Sequence, residues 1–344
     1  MAKSDRFRSR HAHGFVRVAA CTPLATVGDV PANAAATIAL AKQGDKAGCD
    51  LLVYPELNVT SYAIDDLHLQ DAVLDATRTA LAEIVAASAK LNPVLVVGAA
   101  LEHADRLYNC AVVIHRGRVL GVVPKTYLPN YREFYEKRWF ASGAGIVGES
   151  ITIADQDAPF GTDLIFAASD LPDFTFHVEI CEDFWAPVPP STFGALAGAH
   201  ICCNLSASPI TIGKARERES LAAAHSNRTL CGYVFSATGP GESTTEVAWD
   251  GQGLVHELGA QIAASTRFDD AAELLVADVD AGRIRQSRLR NGTFNDGAVR
   301  AGQSSQHFRR IAFEHKPSFA DLGLTRDIRR FPFVPNTPER LDED

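Results

Sequence analysis

The sequence predicts an α/β protein built on mixed sheets. Short apolar runs rich in β-branched residues recur at wide spacing, Ala-rich segments with helical periodicity lie between several of them, and tight glycine turns separate others. Helical crossovers join parallel strands and hairpins join antiparallel ones, so a chain with both implies a mixed sheet. The 344 residues suffice for one large domain or two ordinary ones.

In chain order, residues 15–21, 51–54, 94–101, 110–114, 174–181, 200–205, 233–238 and 273–279 read as strands, being apolar and too short for helices. Residues 33–48 read as a helix that stops at Gly48, a residue suited to a left-handed cap. Residues 71–91 form a second helix and 215–230 a third, whose first turn carries Arg216, Glu217, Arg218 and Glu219. Residues 115–118 (HRGR) and 249–253 (WDGQG) read as hairpin turns with glycine supplying positive φ. After Asp321 the chain becomes charged and proline-rich, ending RRFPFVPNTPERLDED, which reads as a linker or docking tail. The expected organisation is a domain over 1–320 and a tail over 321–344.

Composition narrows the function classes. Lys and Arg number 33 against 42 Asp and Glu, a net charge of −9, and no helix gathers the basic residues, so a nucleic-acid or anionic-membrane role gains no support. No apolar run approaches a membrane span. The seven cysteines show no CxxC or Cys/His metal spacing, and most sit in apolar contexts such as HICCNL (200–205). They are expected to be reduced, buried residues of a cytoplasmic protein, with no metal site.

Three residues stand out by position. Glu56 in LLVYPEL, Lys125 in GVVPKTYLPNYREFYEKRWF and Cys181 in FHVEICEDFW each stand at the end of a separate predicted strand. Strand ends are where α/β sheets present reactive groups. Singly, each has an ordinary structural reading: an exposed glutamate, a solvated lysine, an inert thiol. Together they offer a carboxylate, a cation and a nucleophile.

These motifs resemble the Glu–Lys–Cys triad of the nitrilase superfamily. HGFVRVAACTP (13–23), LYNCAVVIHRGRVLGVVPKTYLPNYREFYEKRWF (107–140) and NLSASPITIGK (204–214) resemble one branch of it, the glutaminase domain of glutamine-dependent NAD synthetase. The resemblance implies a four-layer αββα sandwich assembled into homo-oligomers. It implies Cys181 as nucleophile, Glu56 as general acid/base, Lys125 as charge stabiliser and Glu136 as a supporting acid. Tyr131, Ser208 and Lys214 fall where the branch binds glutamine. The backbone N–H of Glu182, next to the nucleophile, is a natural oxyanion donor, an effect worth about 3–4 kcal/mol. Lys125 is expected to favour the Cys181 thiolate. Amide hydrolysis of this kind needs no cofactor. ATP and Mg belong to the synthetase half, whose SGGxDS-like loop does not occur in these residues. The Gly-containing stretches 145–150 and 239–243 lack the phosphate-loop lysine and read as turns.

The expected function is glutamine hydrolysis that supplies ammonia to a synthetase domain, in the same chain or a separate one, for amidation of nicotinic acid adenine dinucleotide. Two other readings stand beside it: an amidase for another small amide, and an idle scaffold, which the intact triad disfavours.

Overall fold

The computed structural model of the chain describes residues 7–302, 308–317 and 322–328. Its architecture follows from alternation along the strands. In β1 (Phe15–Thr22), Val16, Val18 and Ala20 join one hydrophobic core, while Ala19 and Cys21 join another. Period-two alternation with both faces apolar belongs to a strand buried on both sides.

The remaining elements are α1 (Val30–Lys46), β2 (Leu51–Val53), α2 (Asp71–Ser88), β3 (Val94–His103), β4 (Arg106–His115), β5 (Arg118–Pro124), β6 (Glu149–Ile153), β7 (Gln156–Phe160), β8 (Leu164–Ala168), β9 (Thr175–Ile180), α3 (Glu182–Trp185), α4 (Pro190–Leu196), β10 (Ile201–Ser206), α5 (Lys214–Arg228), β11 (Gly232–Ala237), β12 (Gly253–Glu257), β13 (Ala260–Ala264), β14 (Glu273–Asp280), α6 (Ala281–Arg290), α7 (Gly292–Ala301) and β15 (Arg309–Phe313). They form two mixed sheets, in the orders β14-β1-β2-β3-β4-β5-β7-β6 and β13-β12-β11-β10-β9-β8-β15. β1, β2 and β3 are parallel neighbours, as are β9, β10 and β11; hairpins add the antiparallel pairs β3–β4 and β4–β5.

The sheets meet face to face through Val18, Val53, Val96 and Val113 on one side and Phe166, Phe176, Val178, Cys203 and Val234 on the other. The outer face of the first sheet packs on α1 and α2 through Leu40, Ala41, Leu81 and Ile84. The outer face of the second packs Cys202, Tyr233 and Phe235 on Ala195 of α4 and Ala222 of α5. The order of layers is therefore helix, sheet, sheet, helix, the four-layer sandwich expected. Among the described residues, no helix is long and apolar enough to cross a membrane. All seven cysteines are buried and outside any disulfide.

The three long helices and eight strands foreseen are present with shifted ends. Asp29 caps α1 by accepting the Ala32 N–H at 3.1 Å, and Gly48 just beyond it has φ +71°. The 115–118 turn joins β4 to β5 with Arg116 at φ +47° and Gly117 at +77°, the left-handed pair a two-residue hairpin needs. Gly145, Gly148 and Gly241 also have positive φ and stand in loops.

The 249–253 stretch is not a hairpin turn. β11 and β12 are antiparallel neighbours, but residues 238–252 form a long loop between them, and 249–252 is its last part. Asp250 is wholly buried there as the partner of Arg218, so its place is set by a charge from another element, not by local turn chemistry.

The described parts of the C-terminal region lie against the body. β15 pairs in parallel with β8, Thr325 donates its N–H to Asp278 at 2.6 Å, and Arg326 pairs with Glu257 at 2.6 Å. The boundary expected at 320/321 and the stretch 329–344 lie outside the described residues.

Candidate active site

Sheet topology brings the three strand ends together. β2, β5 and β9 each run toward the same end of the sandwich, and Glu56, Lys125 and Cys181 follow them by three, one and one residues. Glu56 sits on a turn with Leu57 at φ +50°, pressed against β3 at Gly98. A Cβ on Gly98 would overlap the Leu57 nitrogen and the Pro55 carbonyl, so only glycine lets this turn approach. Asn58 fixes it by accepting the Gly98 N–H at 2.9 Å.

Lys125 is wholly buried, and its ammonium lies 2.6 Å from Glu56 Oε1 and 2.7 Å from Glu136 Oε1. Glu136 opens a short 3₁₀ turn (Glu136–Arg138) and accepts the Tyr62 hydroxyl at 2.7 Å. Burial raises the Glu136 carboxyl to about 7, against the opposing pull of Lys125. Burial would lower the Lys125 ammonium, but Glu136 and Glu56 outweigh it and hold the charge in place. Two further donors fix Glu56: Asn109 Nδ2 at 2.7 Å and the Ala207 N–H at 2.8 Å.

Cys181 has φ +45° and ψ −95°, a strained backbone for a non-glycine residue, at the junction of β9 and α3. Its N–H donates to Leu205 O at 2.8 Å, so the elbow is continuous with the sheet. Asp183 braces the far side, accepting the N–H groups of Ile180 at 3.0 Å and of Thr126 and Tyr127 at 3.1 and 2.8 Å. One buried carboxylate thus ties the cysteine elbow to the lysine loop. Burial, with Glu179 nearby, raises it to about 8.

The expectation that Lys125 holds Cys181 as a thiolate needs correction. Burial pushes the thiol well above its ordinary value, the Glu56 charge adds to this, and Lys125 only partly opposes it. The lysine's charge is already taken by two carboxylates. Burial and the Glu56 charge thus favour the thiol over the thiolate at Cys181.

A cleft opens over Cys181, with Tyr131, Glu133, Glu182, Ser208, Lys214 and Glu217 in its wall. The expected binding residues Tyr131, Ser208 and Lys214 are thus gathered at one mouth. Tyr131 is half exposed and donates its hydroxyl to Glu182 at 2.9 Å. Lys214 is the first residue of α5. Its ammonium lies 5.4 Å from the Trp185 ring centre, and burial lowers its pKa. Ser208 is held from behind by Arg218, wholly buried, which donates to the Ser208 hydroxyl at 3.2 Å and to its carbonyl at 2.7 Å while pairing with Asp250 at 2.8 Å. Of the aromatic residues after Lys125, Phe140 belongs to a small core with Leu57 and Leu107, whereas Tyr127, Tyr131 and Tyr135 are exposed.

The sequence reading missed Asn109, Asp183 and Arg218. Asn109 interrupts an apolar strand and Asp183 follows the cysteine at two residues, so both carried a signal. Arg218 sits in a charged helical turn with nothing to mark it as buried. One group among the described residues has metal-ligand spacing: His11, Asp50 and His315, with donor atoms within 4.8 Å of one another. It lies at the opposite end of β2 from Glu56. Asp50 Oδ1 is already bonded by both imidazoles, at 2.9 and 2.8 Å, which makes the group a tie between chain ends.

The model of the family described as carbon-nitrogen hydrolase matches residues 16–289. The chain belongs to the carbon-nitrogen hydrolase family. This hydrolase is 54% identical over 338 residues to the glutamine-dependent NAD(+) synthetase of Mycobacterium tuberculosis H37Rv, across 98% of this chain and 50% of that protein. The Mycobacterium leprae protein of the same name is 52% identical over the same shares. The chain spans about half the length of the curated relatives it matches. A glutamine-dependent NAD(+) synthetase structure from Cytophaga hutchinsonii superposes with a TM-score of 0.69 at 27% identity, over 77% of this chain and 43% of that one. An amidase from Nesterenkonia sp. AN1 shares the fold, with a TM-score of 0.61 at 16% identity over 79% and 93% of the two chains.

Proposed function

We propose that this carbon-nitrogen hydrolase is a glutaminase that releases ammonia from L-glutamine for a NAD synthetase domain, carried in cis or in trans. The observation that carries the reading is the closed Glu56–Lys125–Glu136 cluster beside Cys181, which itself lines a cleft whose wall bears both signs of charge. A free α-amino acid needs an anion and a cation at fixed places. Lys214 and Ser208 take the α-carboxylate, and Glu182, oriented by Tyr131, takes the α-ammonium.

In this scheme Glu56 accepts the Cys181 proton as Sγ attacks the amide carbon. Lys125 and the Glu182 N–H stabilise the oxyanion. The tetrahedral species collapses as Glu56 returns the proton to the leaving nitrogen, giving ammonia and a glutamyl thioester. Glu56 then takes a proton from water, which attacks the thioester, and the proton goes back to the departing sulfur to regenerate the thiol with glutamate. Glu136 keeps Lys125 in place throughout. No metal or organic cofactor enters these steps; ATP and Mg serve the synthetase domain. The ammonia goes to amidation of nicotinic acid adenine dinucleotide in the cytoplasm. The enzyme works as a homo-oligomer whose catalytic domain covers 1–320, with 321–344 leading toward the synthetase.

The test is ammonia and glutamate release from glutamine by the purified protein and its Cys181→Ala variant, alongside a panel of small amides. Glutamine should be the preferred substrate and the variant inactive. Release unaffected by the substitution overturns the mechanism, and another amide far outperforming glutamine overturns the substrate.

A further inference from the structure

The Glu56 carboxylate is nearly filled with donors. Oε1 accepts from Lys125 Nζ at 2.6 Å and from Asn109 Nδ2 at 2.7 Å, while among the described residues Oε2 accepts only the Ala207 N–H at 2.8 Å. A carboxylate oxygen presents about two lone pairs. Oε1 therefore has none left, and Oε2 has one. Without Asn109, both oxygens would keep an open lone pair, and a proton could be taken on either side.

Asn109 is also poorly placed as a merely stabilising residue. It is wholly buried on β4, and its Oδ1 is a buried atom with no hydrogen-bond partner among the described residues. Turning the amide over would set Oδ1 against the Glu56 carboxylate, so the ionised glutamate fixes the amide with its oxygen unsatisfied. Leaving a buried acceptor unmet costs stability, which offsets part of what the Nδ2 bond to Glu56 contributes. The backbone of Asn109 meanwhile accepts the Lys125 N–H at 2.8 Å. One residue thus orients the carboxylate with its side chain and the lysine with its main chain.

We propose that Asn109 is a positioning residue that occupies Glu56 Oε1 and so confines proton transfer to Oε2, the oxygen at the end of β10. The inference rests on the reading of Glu56 as general acid/base. Water is a weaker acid than a thiol, so attack of water on the thioester depends more on an aligned base than attack by Cys181 does. Misalignment should therefore slow thioester cleavage most.

The test compares wild type with Asn109→Leu and Asn109→Ala. The Leu variant should remain folded, its unfolding midpoint lowered only by the loss of the Glu56 hydrogen bond, yet its kcat for glutamine should fall about 100-fold, the scale of a misplaced catalytic group, with KM little changed. A glutamyl adduct on Cys181 should accumulate in quenched samples. Hydroxylamine, a stronger nucleophile than water that yields the hydroxamate and free thiol, should restore turnover far more in the variants than in wild type. Wild-type kcat in the Leu variant overturns the proposal, as does a fall in kcat without adduct or hydroxylamine rescue. Wild-type protein that neither turns over glutamine nor forms the adduct overturns the glutaminase reading, and the proposal with it.

Discussion

Lys125 Nζ stands 2.6 Å from Glu56 Oε1, and both side chains are shut off from solvent. The pair is held in a site where either charge alone would be costly, and Glu136 adds a second carboxylate to the same ammonium. Removing the cation from such a cluster is expected to cost about 3–5 kcal/mol. Lys125→Met should therefore lower the unfolding free energy in urea by that order and abolish glutamine hydrolysis. Adding Glu136→Gln to it should recover much of the stability and none of the activity. Recovery of both would show that Lys125 serves folding alone.

Gly98 sets the distance between β3 and the Glu56 turn. Gly98→Ala inserts a methyl group into the Leu57 and Pro55 backbone and must displace the turn. A shift of about 1 Å in a catalytic group costs roughly 100-fold in rate. The expected result is a kcat drop of that size in a protein whose Cys181 still reacts with a thiol reagent. Unchanged kcat would mean that the turn relaxes without moving the carboxylate.

Arg218 supports Ser208 from a wholly buried position, using its fork on Asp250 and the Ser208 and Pro209 carbonyls. A lysine cannot reproduce the forked geometry. Arg218→Lys should raise the glutamine KM and lower kcat less. Arg218→Ala, which strands Asp250, should also destabilise the fold by about 3–5 kcal/mol. Equal effects of the Lys variant on kcat and KM would move Arg218 from substrate binding to general support.

Asp50 governs acid stability. Burial alone would raise its carboxyl, but hydrogen bonds from His11 and His315 overcome this and hold it well below the usual carboxylate range. A carboxyl depressed in the folded state contributes stability that is fully present above its unfolded value, about 3.9, and is lost as pH falls toward the folded value. The stability difference between wild type and Asp50→Asn should shrink as the pH of a denaturant series falls from about 5 to about 3. A difference constant across that range would remove Asp50 from the acid limb.

The strand ends bearing Glu56, Lys125 and Cys181 were legible because each closes a short apolar run, whereas the four layers were expected only from the resemblance of the motifs around them. The strands β6, β7, β8, β12, β13 and β15 were not among the eight foreseen: each has only five residues, too few for periodicity to separate them from loop. Asp250 was misread for a related reason, since Asp-Gly is a turn signal in sequence and the buried guanidinium that claims it comes from 32 positions away.

By itself, the sequence determined which chemical groups are available and that each stands at the end of a strand, because side-chain identity and local periodicity are properties of neighbouring residues. It left open how those groups meet. Only the tertiary structure decided that Lys125 is shared between two carboxylates, that burial favours the thiol form of Cys181, and that Asn109, Asp183 and Arg218 hold the site. Burial and charge pairing depend on residues far apart in the chain, and the desolvation that raises Cys181 and Glu136 exists only once the sheets have closed over them.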